Sequence, residues 1–143
     1  NIAPYNHQRA GFQLGAPERW VKLREQTRTG RFENVHRLHR AGVTILAGSD
    51  TQSGVFPGAG LHRELATLVE AGLSPAEALR AATLDPARYL SQSANPDSGV
   101  VAVGKRADLI LVNGDPTQDI AAISDIREVI LNGRLLKRES LSK

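Results

Sequence analysis

The 143 residues include no cysteine and no methionine. Without cysteine there are no disulfides, thiolate zinc sites, iron–sulfur clusters or thiol nucleophiles. Methionine is missing even from position 1, where the chain reads Asn1-Ile2-Ala3-Pro4. The expectation is a processed chain or part of a longer polypeptide. Aromatic residues make up only 4%, too few to supply stacking platforms for bases. No run approaches the roughly 18 apolar residues a membrane helix needs, so no membrane partner is expected.

What is present is an ordinary globular composition. The apolar share is 41% and the charged share 23%, which excludes global disorder, collagen and coiled coil. The net charge of +3 hides an asymmetry. Residues 1–49 hold eight basic against three acidic side chains, and residues 50–143 hold ten against twelve. A basic half can form a nucleic-acid face. Here the bases are spread along helix-like sequence and read as a solvated helical face. No nucleic-acid partner is expected, and a basic nucleic-acid module rests on charge alone.

Residues 1–16 have no clear period and read as a loop. Pro17 opens a helical stretch, Thr29-Gly30 interrupts it, and a second piece runs from Arg31 to Arg40. Phe32, Val35, Leu38 and His39 recur on one side of that piece, and Gly42 ends it. Val43 to Gly48 follows, short and almost wholly apolar. It reads as a strand buried on both faces of a parallel sheet, the rest of which lies in sequence not shown. Leu61, Leu65, Leu68 and Val69 form an apolar stripe at helical spacing, ended by Gly72.

Ser74-Pro75-Ala76-Glu77 carries a capping box with proline in the first turn. Asp85-Pro86 repeats the cap-then-proline device for a short helix through Tyr89 and Leu90. Residues 91–99 read as a polar linker. Beyond them the period changes. Val100 to Val103, Asp108 to Val112, Val129 to Leu131 and Leu135-Leu136 read as strands, with a turn at Gly104-Lys105-Arg106. Asn132-Gly133 is a strong hairpin signal.

Asp50 lies just past the carboxyl end of the apolar strand. In a (β/α)₈ barrel that is where catalytic groups collect, and a carboxylate there can bind a metal or exchange protons with water. An aspartate in a turn can equally cap local N–H groups. His62 opens the helix after a glycine-rich loop, placed to reach a substrate pocket or to cap locally. His36 and His39 lie three apart with no third ligand nearby, and read as surface or packing histidines. Gly54, Gly58 and Gly60 lack the Gly-Lys-Ser/Thr ending of a phosphate loop and fit a mobile rim better. There is no Gly-x-Ser-x-Gly elbow.

The run Ala41–Thr51 (AGVTILAGSDT) resembles the eighth barrel strand of the metal-dependent amidohydrolase superfamily. Gly60–Leu65 (GLHREL) and Ala71–Thr83 (AGLSPAEALRAAT) resemble its eighth helix and the one after. Gly104–Val112 (GKRADLILV) resembles a strand motif of the small β-domain that follows the barrel. The nearest flavour is the imidazolonepropionase-like and prolidase-like branch.

The resemblance implies an α/β fold: the C-terminal part of a distorted (β/α)₈ TIM barrel, residues 1–92, then strands of a small accessory β-domain, residues 93–143. It implies hydrolysis of an amide or cyclic amide C–N bond, with a dipeptide, N-acyl amino acid or imidazolone-like substrate. Asp50 would be both metal ligand and proton shuttle, and His62 a substrate contact. The cofactor implied is a divalent metal, zinc first, in the full-length enzyme. The family's His-x-His pair, its Lys or Glu and its further histidines are absent, so the isolated chain is expected to hold no metal and to lack activity alone. The partners implied are the N-terminal part of the same protein, a small amide substrate and, at most, a second copy in a homo-oligomer. The rival is a non-catalytic structural or oligomerising module that lacks the metal site. Localisation is left open, with the cytoplasm as default.

Overall fold

A computed structural model describes residues 17–49 and 58–137. They fall into two compact units, divided between Leu73 and Ser74. In the first unit, α1 (Glu18–Arg40) is followed by the segment 43–49 and then α2 (Ala59–Glu70). In the second, α3 (Pro75–Ala82) and α4 (Leu84–Ser91) precede β1 (Leu109–Val112), a 3-10 turn (Ile120–Ser124), β2 (Ile126–Leu131) and β3 (Arg134–Leu136).

Pro17 caps α1 in an extended conformation, and the helix begins at Glu18. It then runs unbroken to Arg40, through the expected interruption at Thr29-Gly30. A glycine in an exposed helix costs only about 1 kcal/mol, less than giving up the hydrogen bonds of a turn. Here Thr27 Oγ1 donates to the Leu23 carbonyl at 2.8 Å and Arg31 donates to the Arg24 carbonyl at 2.9 Å, so the flanking turns also carry side-chain support. Phe32, Val35 and His39 are half-buried, as the spacing implies, whereas Leu38 is exposed.

Two helices end the same way. The Gly42 N–H donates to the His39 carbonyl and the Val43 N–H to the Leu38 carbonyl, each at 3.0 Å. In α2 the Gly72 N–H donates to Val69 and the Leu73 N–H to Leu68, at 2.9 and 3.2 Å. Both are Schellman closures, which require a left-handed residue. Gly42 and Gly72 supply it at φ 80° and 105°.

The segment 43–49 departs from the expectation of a strand buried on both faces. It belongs to no ladder among the described residues. Val43 and Leu46 remain 47% and 38% exposed. A central strand needs neighbours on both edges, and the described residues supply none. The core of this unit lies instead at Leu65, Leu68, Ala71 and Leu73.

The capping box at α3 forms in full: Glu77 N–H donates to Ser74 Oγ, and the Ser74 N–H donates to the Glu77 carboxylate at 2.7 Å. α4 starts two residues before the expected aspartate cap, with Thr83 at its N-cap. Asp85 sits in the first turn and accepts from Arg80 Nε at 3.0 Å. A guanidinium outcompetes a backbone N–H for a carboxylate. Residues 91–99 are tied down rather than free. Arg88 donates to the Ala94 carbonyl, Arg106 N–H to Asp97, and Lys105 Nζ to Asn95.

Val100 to Val103 also form no strand among the described residues, and Val101 and Val103 are 85% and 106% exposed. The turn at Gly104 is present, with the Lys105 N–H donating to the Ala102 carbonyl. The remaining strands form an antiparallel sheet in the order β1-β2-β3. Leu109 pairs with Ile130 and Ile110 with Val129, and a bulge falls between Leu111 and Val112. Val129 pairs with Leu136 and Leu131 with Arg134 around Asn132-Gly133. Both turn residues have positive φ, 52° and 75°, as a type I′ turn demands. The 3-10 turn was not expected from the sequence. Asp119 caps it by accepting from the Ala121 N–H at 3.0 Å, and it buries Ile120 and Ile123. It packs with α3, whose buried residues are Ala78 and Ala81.

Candidate functional site

α2 turns its apolar stripe inward through Leu65 and Leu68. Glu64 precedes Leu65 on the flank of that stripe and is half-buried with it. A carboxylate taken partly out of water needs a hydrogen-bond partner. The Gly48 backbone N–H acts on Glu64 in that sense. Burial pushes the Glu64 pKa above the usual carboxylate range, and the Gly48 bond pulls it part of the way back.

Asp50 itself, with Gly54, lies outside the described residues. His62 is half-buried on α2. Residues two apart on a helix do not face each other, so α2 does not bring His62 and Glu64 to one side. His36 is half-buried on α1, its ring against Gly72, and its Nδ1 is buried without a partner. That is the packing role expected for it. Arg28 of α1 pairs with Glu70 of α2 and lies over the Phe32 ring, 5.0 Å from its centroid. Among the described residues, no three His, Asp or Glu side chains group as a metal site. None of the described helices is long and apolar enough to cross a membrane.

Sequence reasoning missed Glu64. The signal was available: an acidic residue wedged between Leu61 and Leu65, at the edge of an apolar stripe, must find a donor.

The model of the amidohydrolase family matches residues 21–136. The chain belongs to that family. This amidohydrolase-family chain is 36% identical over 97 residues to adenine deaminase 2 of Agrobacterium fabrum, covering 66% of the chain and 15% of the relative. It is 35% identical over 111 residues to the imidazolonepropionase of Anaeromyxobacter sp. strain K, covering 74% of the chain and 25% of the relative. It also superimposes on the crystal structure of a Xaa-Pro dipeptidase with methionine bound in its active site. There the TM-score is 0.64 and the identity 30%, over 74% of this chain and 25% of that one. The chain thus spans a quarter or less of these three relatives. Its fold neighbours are of the amidohydrolase type, and the described residues form an α/β structure with a small antiparallel sheet.

Proposed function

We propose that this chain is the C-terminal portion of a metal-dependent amidohydrolase that hydrolyses an amide or cyclic amide C–N bond. The carrying observation is the family match over residues 21–136 in a chain that spans only 25% of an imidazolonepropionase. In this reading, residues 1–92 supply the last strand and helices of a distorted (β/α)₈ barrel. Residues 93–143 supply strands of the accessory β-domain. The remainder of the same polypeptide completes the barrel, and a small amide is the substrate.

The chemistry falls to the end of the segment 43–49. Asp50 is the proton carrier: it takes a proton from the attacking water and delivers it to the departing nitrogen. His62, at the start of α2, contacts the substrate. The described residues do not fit a metal centre by themselves, since no three donors cluster among them. A divalent metal, zinc first, would take Asp50 together with ligands from elsewhere in the polypeptide. No observation favours the non-catalytic module.

The test is turnover of the full-length protein on three amides, an imidazolone, a Xaa-Pro dipeptide and an N-acyl amino acid, and on adenine, whose exocyclic C–N bond belongs to an amidine. Asp50→Asn is expected to lower kcat on the accepted substrate by about 10²–10⁴-fold, the usual worth of a positioned acid–base group. Near-normal turnover in that variant removes the mechanism.

A further inference from the structure

We propose that α1 carries a second docking face, on the side turned from α2, and that its occupant is an acid-bordered helix lying earlier in the same polypeptide. The inference rests on the reading that the remainder of the polypeptide completes the barrel. At about 100° per residue, Trp20, Leu23, Thr27, Gly30, Asn34 and Leu38 fall within an arc of about 80° on α1. The stripe is uncharged and runs for about 27 Å, most of the helix. All six residues are exposed, Trp20 and Leu23 at 50% and 49%. With Arg19 and Gln26, these two also line a shallow groove. α2 is met from the other side of the helix, where His36 rests on Gly72 and Arg28 pairs with Glu70.

Shape and charge say what covers this stripe. Its bulk stands at the two ends, while the middle is small, and Gly30 has no heavy atom within 4 Å of its missing Cβ. Packed helix axes lie about 8–10 Å apart, depending on the side chains between them. A helix crossing near Gly30 comes in close, with Trp20 and Leu23 on one side of it and Leu38 on the other. Arginines alone border the stripe, Arg19 and Arg37 along one edge and Arg24 and Arg31 along the other. The acidic residues of α1, Glu18, Glu25 and Glu33, all lie at least about 100° from its centre. Glu33 reaches Arg37 only at 3.9 Å. The complementary surface is apolar with Asp and Glu on both flanks. A second copy of α1 would instead set arginine against arginine, which is repulsive. In a (β/α)₈ barrel each strand is followed by a helix of the outer ring, so α1 stands between α2 and the helix before it.

The test is photo-crosslinking in the full-length protein, with benzoylphenylalanine at Leu23 in the stripe and, as a control, at Glu33 on the acidic side. Gln26, at the edge of the same groove, takes the probe if the Leu23 variant does not fold. Expected is an intramolecular crosslink from position 23 to a helix preceding α1, with Asp or Glu flanking the captured apolar residues, and its loss from position 33. Charge gives a second readout: Arg19→Glu with Arg37→Glu should lower the thermal midpoint, and an acid-to-Lys change on the captured helix should restore it. Capture of a second copy, another protein or lipid overturns the inference, and so does an unmoved midpoint in the charge variant. Absence of the crosslink in a protein that hydrolyses amides overturns this inference alone. Capture of the preceding helix in a protein without that activity upholds the contact and overturns the reading of the reaction. If neither the crosslink nor the activity is found, both fall.

Discussion

The His36 ring stands against the α-carbon of Gly72, so close that a Cβ placed there would run into Nδ1. Real Cβ atoms do not approach that closely, and Gly72 also holds φ at 105°. The residue that closes α2 is thus also the floor on which an α1 histidine rests.

Two glycines in the same closing role separate these effects. Gly42 holds φ at 80° and has nothing within 4 Å of its missing Cβ. Gly42→Ala should cost about 1–2 kcal/mol, the left-handed penalty alone. Gly72→Ala should cost about 1–3 kcal/mol more, as overpacking adds to it. Urea unfolding of the two variants measures the difference. Adding His36→Ala to Gly72→Ala should return the steric part, and a strictly additive double mutant would sink the contact argument.

The α3 capping box should behave as a coupled pair. Ser74→Ala is expected to destabilise by about 1 kcal/mol. Glu77→Ala should cost less in the Ser74→Ala background than in the wild type, because each side chain satisfies a donor beside the other. A double-mutant cycle on thermal unfolding checks this. Equal costs in both backgrounds would count against the reciprocal bonds.

Asp85 accepts a hydrogen bond from Arg80 at 3.0 Å and is ion-paired with Arg88 at 3.9 Å, and its side chain is mostly buried while both arginines are exposed. Asp85→Ala should cost about 1 kcal/mol, within the range of a charge-assisted bond at a partly wet site. Arg88→Ala should cost less, since its pairing is the longer. Raising the salt concentration should narrow both differences. A larger loss in Arg88→Ala would reverse the ranking that the distances give.

Glu64 makes stability depend on pH in a definite direction. Burial raises its pKa in the folded chain above the ordinary 4.5, with the Gly48 bond opposing. A folded state that holds the proton more tightly is favoured below 4.5 and loses that advantage as pH rises through the folded value. Glu64→Gln cannot titrate there. Its stability relative to wild type should therefore climb from pH 4 to pH 7. A difference that stays flat or falls across this window would show that burial does not dominate the shift.

Much of the helical layout was legible, and for local reasons. Ser74 with Glu77, Gly42 and Gly72, and Asn132-Gly133 each act through backbone bonds within a few residues, so their meaning survives without tertiary context. Gly30 misled because its cost is small beside a helix's own hydrogen bonds. Asp85 misled because a guanidinium five residues upstream competed for its carboxylate. Val43 to Gly48 and Val100 to Val103 are apolar runs whose strand character depends on neighbours, and the described residues provide none. At the site, resemblance pointed to Asp50 and His62, but Glu64 escaped. Its partner is a backbone N–H sixteen residues away, which no spacing rule reaches.

The hairpin turn has a consequence for the ageing of the polypeptide. An asparagine followed by glycine is the pair most prone to cyclise, when the glycine nitrogen attacks the asparagine side-chain amide. Here the Gly133 N–H is engaged with the Ala107 carbonyl at 2.9 Å, and the Asn132 N–H with Asp108 at 2.8 Å. While those two bonds hold, the nitrogen is kept from the attack. The sheet thus guards its own weakest peptide link, and deamidation at Asn132 would serve as a chemical record of how often the β2–β3 turn comes away from Ala107 and Asp108.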